Sequence, residues 1–275
     1  MIYLWNYIYI MRFRLTLHNP TSATAITWNY NYLLMAWIYE RLILADESYA
    51  NFLHQEGYTS EHNQKRFKYF TFSPFHFNPG RNEYSFNRDG MVIKGESFYL
   101  DLSFYIDKAA EKFIVGVFRD QKLKMENHRF RANFHIGQIA TLPELEFSPS
   151  MTFNAWAPMN VALKLEGEYD KYLKPEEPEF AKLLALNLAD KYNNATGHSI
   201  SPNEIKFELL TDPEKISSRK FSIKEQSKAE TQIKGYHNFE FKLSAPTEVI
   251  RCGYYSGFGR FNAQGMGMVG IIKSK

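Results

Sequence analysis

The chain has 275 residues, of which 44% are hydrophobic, 16% aromatic and 23% charged. This length predicts two compact units, and the apolar content excludes a mainly disordered chain or a small disulfide-stapled module. The formal net charge is only +3, so any site for a polyanion must come from local clusters of basic residues. The single cysteine, Cys252, cannot form an internal disulfide, which favours a reducing compartment and predicts a cytoplasmic location.

The first ten residues, MIYLWNYIYI, are apolar and aromatic, and Arg12 and Arg14 follow them at once. Ten residues are too few to span a bilayer, which needs about 20, and the segment lacks the charged start and the cleavage site of a signal peptide. We therefore expect no membrane association. We expect residues 1–10 to be a frayed extension ahead of a domain that begins at Met11, with an additional edge strand as the alternative.

In the first half, the predicted order is strand, helix, strands, helix, strand. Alternating side chains predict a strand over residues 12–17, and apolar spacing predicts a helix over 31–45 and a short one over 46–53, with His54 near its end. The remaining predictions are strands at 68–73, 83–94 and 96–105, a helix at 107–120 and extended chain at 122–142.

A second round of similar order follows a predicted boundary at residues 143–149. A helix is predicted over 178–192, with Gly197 at or just beyond its end. Around it we predict a strand-rich segment at 147–165, strands at 204–210, 219–224 and 232–243, a helix at 247–255 and a last strand at 266–272. Two halves of βαββαβ type fit this order, with the division between residues 143 and 144.

The most distinctive segment is the glycine-rich tail, GFGRFNAQGMGMV, over residues 257–269. Glycines at this density can bring backbone N–H groups close to a phosphate, and Arg260 adds a positive charge there. The tail is not a dinucleotide-binding fingerprint, because position 262 is Asn and too few residues follow for the required helix. A purely structural turn is the alternative to a phosphate-binding loop.

Basic residues surround this tail in the sequence. They cluster at residues 214–242 and 251–275, and a second run at residues 119–131 lies in the first half. Such clusters suit a nucleic-acid surface, and a merely solvated lysine-rich face is the alternative.

The glycine tail closely resembles the C-terminal G-x-G-x-x-N-x-x-G-x-G-M-V signature of the CRISPR-associated repeat-RNA endoribonucleases of the RAMP superfamily. It matches at Gly257, Gly259, Asn262, Gly265, Gly267, Met268 and Val269. It departs at Ala263 and Met266, where the family more often has Ser and a bulky residue. The resemblance continues in the same order over residues 11–275, through the segments MRF (11–13), NYNY (29–32), IY (38–39), FLH (52–54), KYFTFS (68–73), SP (148–149) and YLKP (172–175).

This resemblance implies an α+β fold class with two tandem ferredoxin-like domains, placed here at residues 11–143 and 144–275. It also implies cleavage of CRISPR precursor RNA within each repeat, without a metal or other cofactor. The 2′-hydroxyl of the RNA attacks the adjacent phosphorus, which leaves a 2′,3′-cyclic phosphate and a free 5′-hydroxyl. The expected partners are repeat RNA and subunits of a CRISPR effector complex, and the oligomeric state, monomer or homodimer, is left open.

Family members of this type use Tyr, His and Lys, and the matching positions are Tyr39, His54 and Lys68. An imidazole can give or take a proton near neutral pH, so His54 is the first candidate for proton transfer, although a lone histidine can also be structural. Tyr39 could orient the 2′-hydroxyl, share the proton transfer or simply belong to the core, and which of His54 and Tyr39 is the base or the acid is left open. Lys68 could stabilise charge on the phosphoryl oxygens. Three neighbours that could replace or assist them are His62, Lys65 and Arg66.

RNA contacts are expected from positive side chains and from the glycine tail. The candidates are Lys220, Lys224, Gly257, Gly259, Arg260, Gly265 and Gly267. Two other hypotheses are a non-catalytic RAMP subunit that binds guide RNA in an effector complex and an unrelated ferredoxin-like RNA-binding module. The His54 and Lys68 matches favour the enzyme over a pure binder, and the ordered matches along the chain disfavour the unrelated module.

Overall fold

The computed structural model describes residues 11–60, 64–78, 81–164, 170–223 and 230–272. The predicted extension at residues 1–10 lies outside the described residues, as does Lys224. The helices are α1 (Tyr30–Ala45), α2 (Glu47–Gln55), α3 (Asp107–Arg119), α4 (Pro178–Thr196) and α5 (Thr247–Ser256). None of them is both long and apolar enough to cross a lipid bilayer.

Eighteen strands are found in the described part of the chain. Those of the first half are β1 (Met11–His18), β2 (Thr24–Thr27), β3 (Tyr58–Thr59), β4 (Arg66–Phe67), β5 (Phe70–Phe72), β6 (Tyr84–Phe86), β7 (Gly90–Ile93), β8 (Ser97–Phe104), β9 (Lys122–Glu126) and β10 (Arg131–Thr141). Those of the second half are β11 (Ser150–Ala155), β12 (Ala162–Leu163), β13 (Lys171–Tyr172), β14 (Lys206–Leu209), β15 (Ser217–Ile223), β16 (Thr231–His237), β17 (Glu240–Ser244) and β18 (Val269–Ile271).

The main sheet of the first half has the strand order β5-β8-β1-β10-β9, with antiparallel neighbours. Helix α1 precedes β5 and α3 follows β8, so β1, β5, β8 and β10 form a βαββαβ unit to which β9 adds an edge. Strand β1 alternates as predicted: Phe13, Leu15 and Leu17 are buried in the same core as the residues of α1 and α3. The other face of β1 carries Arg12 and Arg14.

The main sheet of the second half repeats this topology, with the order β14-β17-β11-β18. Helices α4 and α5 pack together on it over a second core that contains Phe153, Phe180 and Phe241. Helix α4 begins with Pro178 at its first turn and ends at Gly197, which has a φ of 73°, so the predicted glycine end is confirmed. Both halves therefore have the expected α+β, βαββαβ topology, whereas the exact division at residue 143 stays a prediction.

Three predicted strands differ from the structure. The segment 232–243 is two strands, because Asn238 adopts a φ of 59° between β16 and β17 and turns the chain. Strand β16 leaves the main sheet to pair with β15 as a separate hairpin. The segment 83–94 is likewise the hairpin β6–β7, which joins β2 in a small three-stranded sheet. The last strand begins at Val269, because Met266 still belongs to the glycine loop.

Arg12 of β1 joins the two halves. Its Nη1 donates to the carbonyl of Val269 at 2.9 Å and its Nη2 to that of Tyr254 at 2.8 Å, while the guanidinium lies 3.7 Å from the centroid of the Tyr254 ring. Burial lowers the pKa of Arg12, and these acceptors compensate for the loss of water. The two halves are therefore joined by polar contacts as well as by apolar packing.

Candidate active site

His54 lies in the last turn of α2, where its side chain is exposed. Helix α2 begins at Glu47 because the carboxylate of Asp46 caps its N-terminus, accepting a hydrogen bond from the N–H of Tyr49 at 3.0 Å. Leu53 and Tyr49 bury the inner face of the helix in the first core. The capped, amphipathic helix thus holds an accessible imidazole at a fixed place.

Tyr39 belongs to α1 and its ring stands almost perpendicular to that of His54, at 87°, with 4.9 Å between the ring centroids. The side chain is buried, and its hydroxyl makes no hydrogen bond to any described residue. Burial raises the pKa of the Tyr39 hydroxyl, which keeps it protonated near neutral pH. At this site Tyr39 can therefore donate a hydrogen bond, whereas it is poorly suited to act as a base.

Lys68 reaches the same place from the segment between β4 and β5. Its Nζ donates to the carbonyl of His54 at 2.8 Å and also to that of Leu53, at the end of α2. Burial lowers the pKa of Lys68 to about 8, and the neighbouring charge of Arg66 acts in the same direction. The three predicted catalytic residues, distant in the sequence, are thus brought together at the C-terminal end of α2.

The neighbouring basic residues are engaged elsewhere. Lys65 pairs with Asp190 of α4 at 2.5 Å, and Arg66 donates to the carbonyl of Gln55 at 3.1 Å. His62 lies outside the described residues. Lys68 donates to the carbonyl of His54 itself, so the geometry favours Lys68 as the cation of the site.

The glycine-rich loop, residues 257–267, is packed between the two halves. Gly257, Gly259, Gly265 and Gly267 have φ values between 73° and 85°, a region that side chains disfavour. A Cβ atom on Gly265 would lie 2.3 Å from the Phe72 ring of β5. The N–H groups of Gly257, Gly265 and Gly267 already donate to backbone carbonyls. These glycines therefore serve close packing, and contact between the loop and RNA stays a prediction.

Lys191 of α4, which the sequence analysis did not identify, holds this loop from inside. Its buried Nζ donates to the carbonyls of Gly257 at 2.6 Å and Gly259 at 2.9 Å, and to Asn262 Oδ1 at 2.6 Å. Burial lowers the pKa of Lys191 to about 7, and the three oxygens match the three N–H donors of its protonated form. Lys191 follows Leu184 and Leu188 by seven and three residues, so its place on the apolar face of the helix was the only sequence signal.

Side chains of α1 and β5 connect the glycine loop to the first half. Thr71 donates to the carbonyl of Met266 at 2.9 Å, and Asn31 donates to that of Gln264 at 3.3 Å. Asn262 in turn donates to the carbonyl of Met266 at 3.0 Å. The loop thus connects α4 of the second half to the sheet and first helix of the first half.

Lys220 and Arg260, the predicted RNA-binding cations among the described residues, make their contacts apart from the three catalytic candidates. Arg260 forms an ion pair with Asp170 at 2.7 Å, which partly neutralises its charge. Lys220 is exposed on β15 and lines a cleft of about 580 Å³. This basic cleft is also lined by Arg88, Arg129 and Arg219, and by two neighbouring residues of the first half, Trp28 and Asn29.

A second cleft of about 460 Å³ shares Arg219 with the first. It is lined by the aromatic side chains of Tyr99 and Trp156 and by Arg14, whose guanidinium lies 4.0 Å from the centroid of the Tyr99 ring. Cations and aromatic rings together suit a nucleic-acid chain with unstacked bases. Among the described residues, no group of three or more His, Cys, Asp or Glu side chains is placed to hold a metal ion.

Comparisons with known proteins cover most of the chain. The model of CRISPR-associated protein Cas6, N-terminal, matches residues 25–134, and that of CRISPR associated protein Cas6, C-terminal, matches residues 142–271. The CRISPR-associated endoribonuclease Cas6 1 of Methanocaldococcus jannaschii is 27% identical over 270 residues, which are 96% of this chain and 94% of that protein. The CRISPR-associated endoribonuclease Cas6 of Pyrococcus furiosus is 26% identical over 271 residues, 96% and 91% of the two chains.

A solved structure of a Cas6-related protein from Pyrococcus furiosus resembles this fold with a TM-score of 0.79 at 21% identity. The match covers 97% of this chain and 100% of the other. The expected α+β fold with two tandem ferredoxin-like domains is thereby confirmed.

Replacing Lys191 with methionine tests the role of this lysine in the loop. Methionine fills a similar volume but leaves three oxygens without their donor, so Lys191→Met should lower the free energy of unfolding by about 3–5 kcal/mol. Lys182→Met, on the exposed side of the same helix, should change it by less than about 0.5 kcal/mol. Equal effects in chemical denaturation would show that the three hydrogen bonds do not hold the loop.

Proposed function

The chain belongs to the Cas6 family of CRISPR-associated proteins, and we propose that it is an endoribonuclease that cleaves CRISPR precursor RNA within its repeats. The observation that carries the proposal is the meeting of Tyr39, His54 and Lys68 at the end of α2. These side chains come from two helices and the segment between β4 and β5, and together they supply a proton-transfer group, a hydrogen-bond donor and a cation. Strand cleavage by an internal nucleophile needs these three functions.

RNA supplies the nucleophile for this reaction. The 2′-hydroxyl loses its proton, its oxygen bonds to the adjacent phosphorus, and the bond from phosphorus to the 5′-oxygen breaks. The 5′-oxygen takes up a proton, so the products carry a 2′,3′-cyclic phosphate and a 5′-hydroxyl. No water molecule is consumed in this step, and no atom of the protein bonds covalently to the RNA.

Each side chain suits one part of the reaction. His54 is exposed and serves a proton transfer at the 2′- or the 5′-oxygen. Tyr39 retains its proton because it is buried, and so it donates a hydrogen bond to the reacting RNA. The ammonium of Lys68, partly removed from water, stabilises the negative charge that grows on the phosphoryl oxygens.

We assign RNA binding to the two clefts that share Arg219. The first offers Lys220, Arg88 and Arg129 for phosphates, and beside it the exposed rings of Trp28 and Phe86 stack at a centroid distance of 5.0 Å. Neither cleft is lined by the catalytic candidates, so the RNA must extend beyond the cut site. Phosphate contacts of this kind make affinity fall with salt, while stacking on aromatic rings depends less on it.

Replacing His54 with alanine separates cleavage from binding. With the repeat RNA of the CRISPR array adjacent to the gene, in EDTA, His54→Ala should lower the cleavage rate by about 10²–10⁴-fold and leave the dissociation constant within about twofold. His135→Ala, which changes an exposed histidine on β10, is the matched control and should cleave normally. A 2′-deoxy nucleotide at the cut should abolish cleavage by the unaltered protein.

Other outcomes of this assay favour other functions. Tight binding of repeat RNA without any cut would support a non-catalytic subunit that holds guide RNA in an effector complex. Unchanged cleavage by His54→Ala would remove His54 from the proposed mechanism. Cleavage of the 2′-deoxy substrate would exclude attack by the RNA's own hydroxyl.

The protonation of Lys68 predicts how cleavage depends on pH. Only the ammonium form stabilises the developing charge, so kcat/KM should fall as the pH rises through about 8, where Lys68 loses its proton. Lys68→Arg keeps a positive charge at every pH used, so its slower reaction should show no decline between pH 7 and 9.5. The same decline in Lys68→Arg would assign the titration to another group.

A further inference from the structure

The segment that carries Lys68 is short and has little structure of its own. Strands β3 and β4 form a hairpin of two paired residues on each side, Tyr58 with Phe67 and Thr59 with Arg66. Lys68 and Tyr69 then connect this hairpin to β5 in the first sheet. Two strand pairs alone do not make a stable hairpin in water, so the position of Lys68 depends on what the hairpin contacts.

Tyr69, next to Lys68, is anchored in the second half of the protein. Its side chain is buried in the second core, with only 2% of its surface exposed, and its backbone has a φ of 54°. A bulky residue adopts this left-handed conformation only where its surroundings require it. Its hydroxyl lies 2.6 Å from Asn194 Oδ1 and 2.9 Å from the carbonyl of Lys191, both on α4.

Asn194 also contacts strand β3 of the hairpin. Its Nδ2 donates to the carbonyl of Thr59 at 3.0 Å, while its Oδ1 accepts from Tyr69. One amide group therefore joins α4 both to β3 of the hairpin and to Tyr69, which follows β4. The ion pair between Lys65 and Asp190 joins the same two elements one turn earlier on the helix.

We propose that Asn194 is a positioning residue for RNA cleavage: through Thr59 and Tyr69 it fixes the β3–β4 hairpin to α4 and so holds Lys68 beside His54. This inference rests on the proposed function. Lys68 and Tyr69 are consecutive, so a shift of Tyr69 displaces the Lys68 ammonium from the two carbonyls at the end of α2. A displacement of about 1 Å at a reacting centre can lower a rate by about 10²-fold.

The contacts to the glycine loop and to Tyr69 come from the same turn of α4. The side chain of Lys191 holds the glycine loop, and its carbonyl accepts from Tyr69. One turn of a second-half helix thus contacts both the glycine loop and the segment that carries Lys68. Active-site geometry in the first half thereby depends on the docking of the second half.

Two variants and one control test the role of Asn194. Asn194→Ala removes both hydrogen bonds, and Tyr69→Phe removes only the hydroxyl. Both should lower the single-turnover cleavage rate, by about 10–100-fold for Asn194→Ala and less for Tyr69→Phe, with the dissociation constant for repeat RNA within about twofold. Asn193→Ala is the matched control, because the Asn193 amide bonds to the backbone of Ile200 within the second half.

A second readout follows the lysine itself. When the hairpin loosens, Lys68 becomes better solvated and its pKa rises. The decline of kcat/KM should therefore occur at a higher pH in Asn194→Ala and at an unchanged pH in Asn193→Ala. A purely structural effect would lower the amount of folded protein without moving this decline. Equal rate losses in Asn194→Ala and Asn193→Ala, or an unmoved decline in both, would overturn the proposal.

Amide exchange tests the hairpin without any catalysis. The N–H of Ser60 donates to the carbonyl of Lys65 across the hairpin at 2.8 Å, so its exchange reports local opening. Exchange at Ser60 should be faster in Asn194→Ala than in Asn193→Ala, and equal exchange would overturn the proposal. If the unaltered protein cleaves no repeat RNA while Ser60 responds as expected, the proposed function fails, and the control of the hairpin by Asn194 stands apart from it.

Discussion

The arrangement of the two halves depends on the hydrogen bonds that the buried ammonium of Lys191 donates to three oxygen acceptors. This ammonium lies inside the second half and holds the glycine loop in a shape that only glycine allows at four positions. That shape brings the loop against Phe72 and presents its carbonyls to Thr71 and Asn31 of the first half. Removing the ammonium would leave buried oxygens unpaired and the loop without its internal support.

The candidate active site obtains three different chemical properties from three degrees of burial. His54 is exposed and can exchange protons with RNA, whereas Tyr39 is buried and keeps its proton. Lys68 lies between these extremes, and partial burial lowers its pKa to about 8 without removing its charge near neutral pH. The end of α2 suits this lysine, since the last carbonyls of a helix carry partial negative charge.

The sequence of the glycine loop is compatible with two different structures. Closely spaced glycines suit both a phosphate cradle and a tight contact between domains, because both need a backbone without side chains. The neighbours show that the tight contact is formed: Phe72 and Asn262 occupy the space around the glycines, and backbone carbonyls accept from three of their N–H groups. The ion pair of Arg260 could not be predicted from the local sequence either, since its partner Asp170 is 90 residues away.

The sequence by itself determined the order of the elements in both halves, because period-2 and helical patterns of apolar residues depend only on neighbours along the chain. With the family signature it also predicted that Tyr39, His54 and Lys68 form one site, and these three residues do meet at the end of α2. Only the tertiary structure decided how that site is supported. The contacts of Lys191 and Asn194 join segments more than 60 and more than 120 residues apart, respectively. No local sequence pattern indicates such pairings: those of Lys191 exist only after the second half has folded, and those of Asn194 only after the two halves have docked.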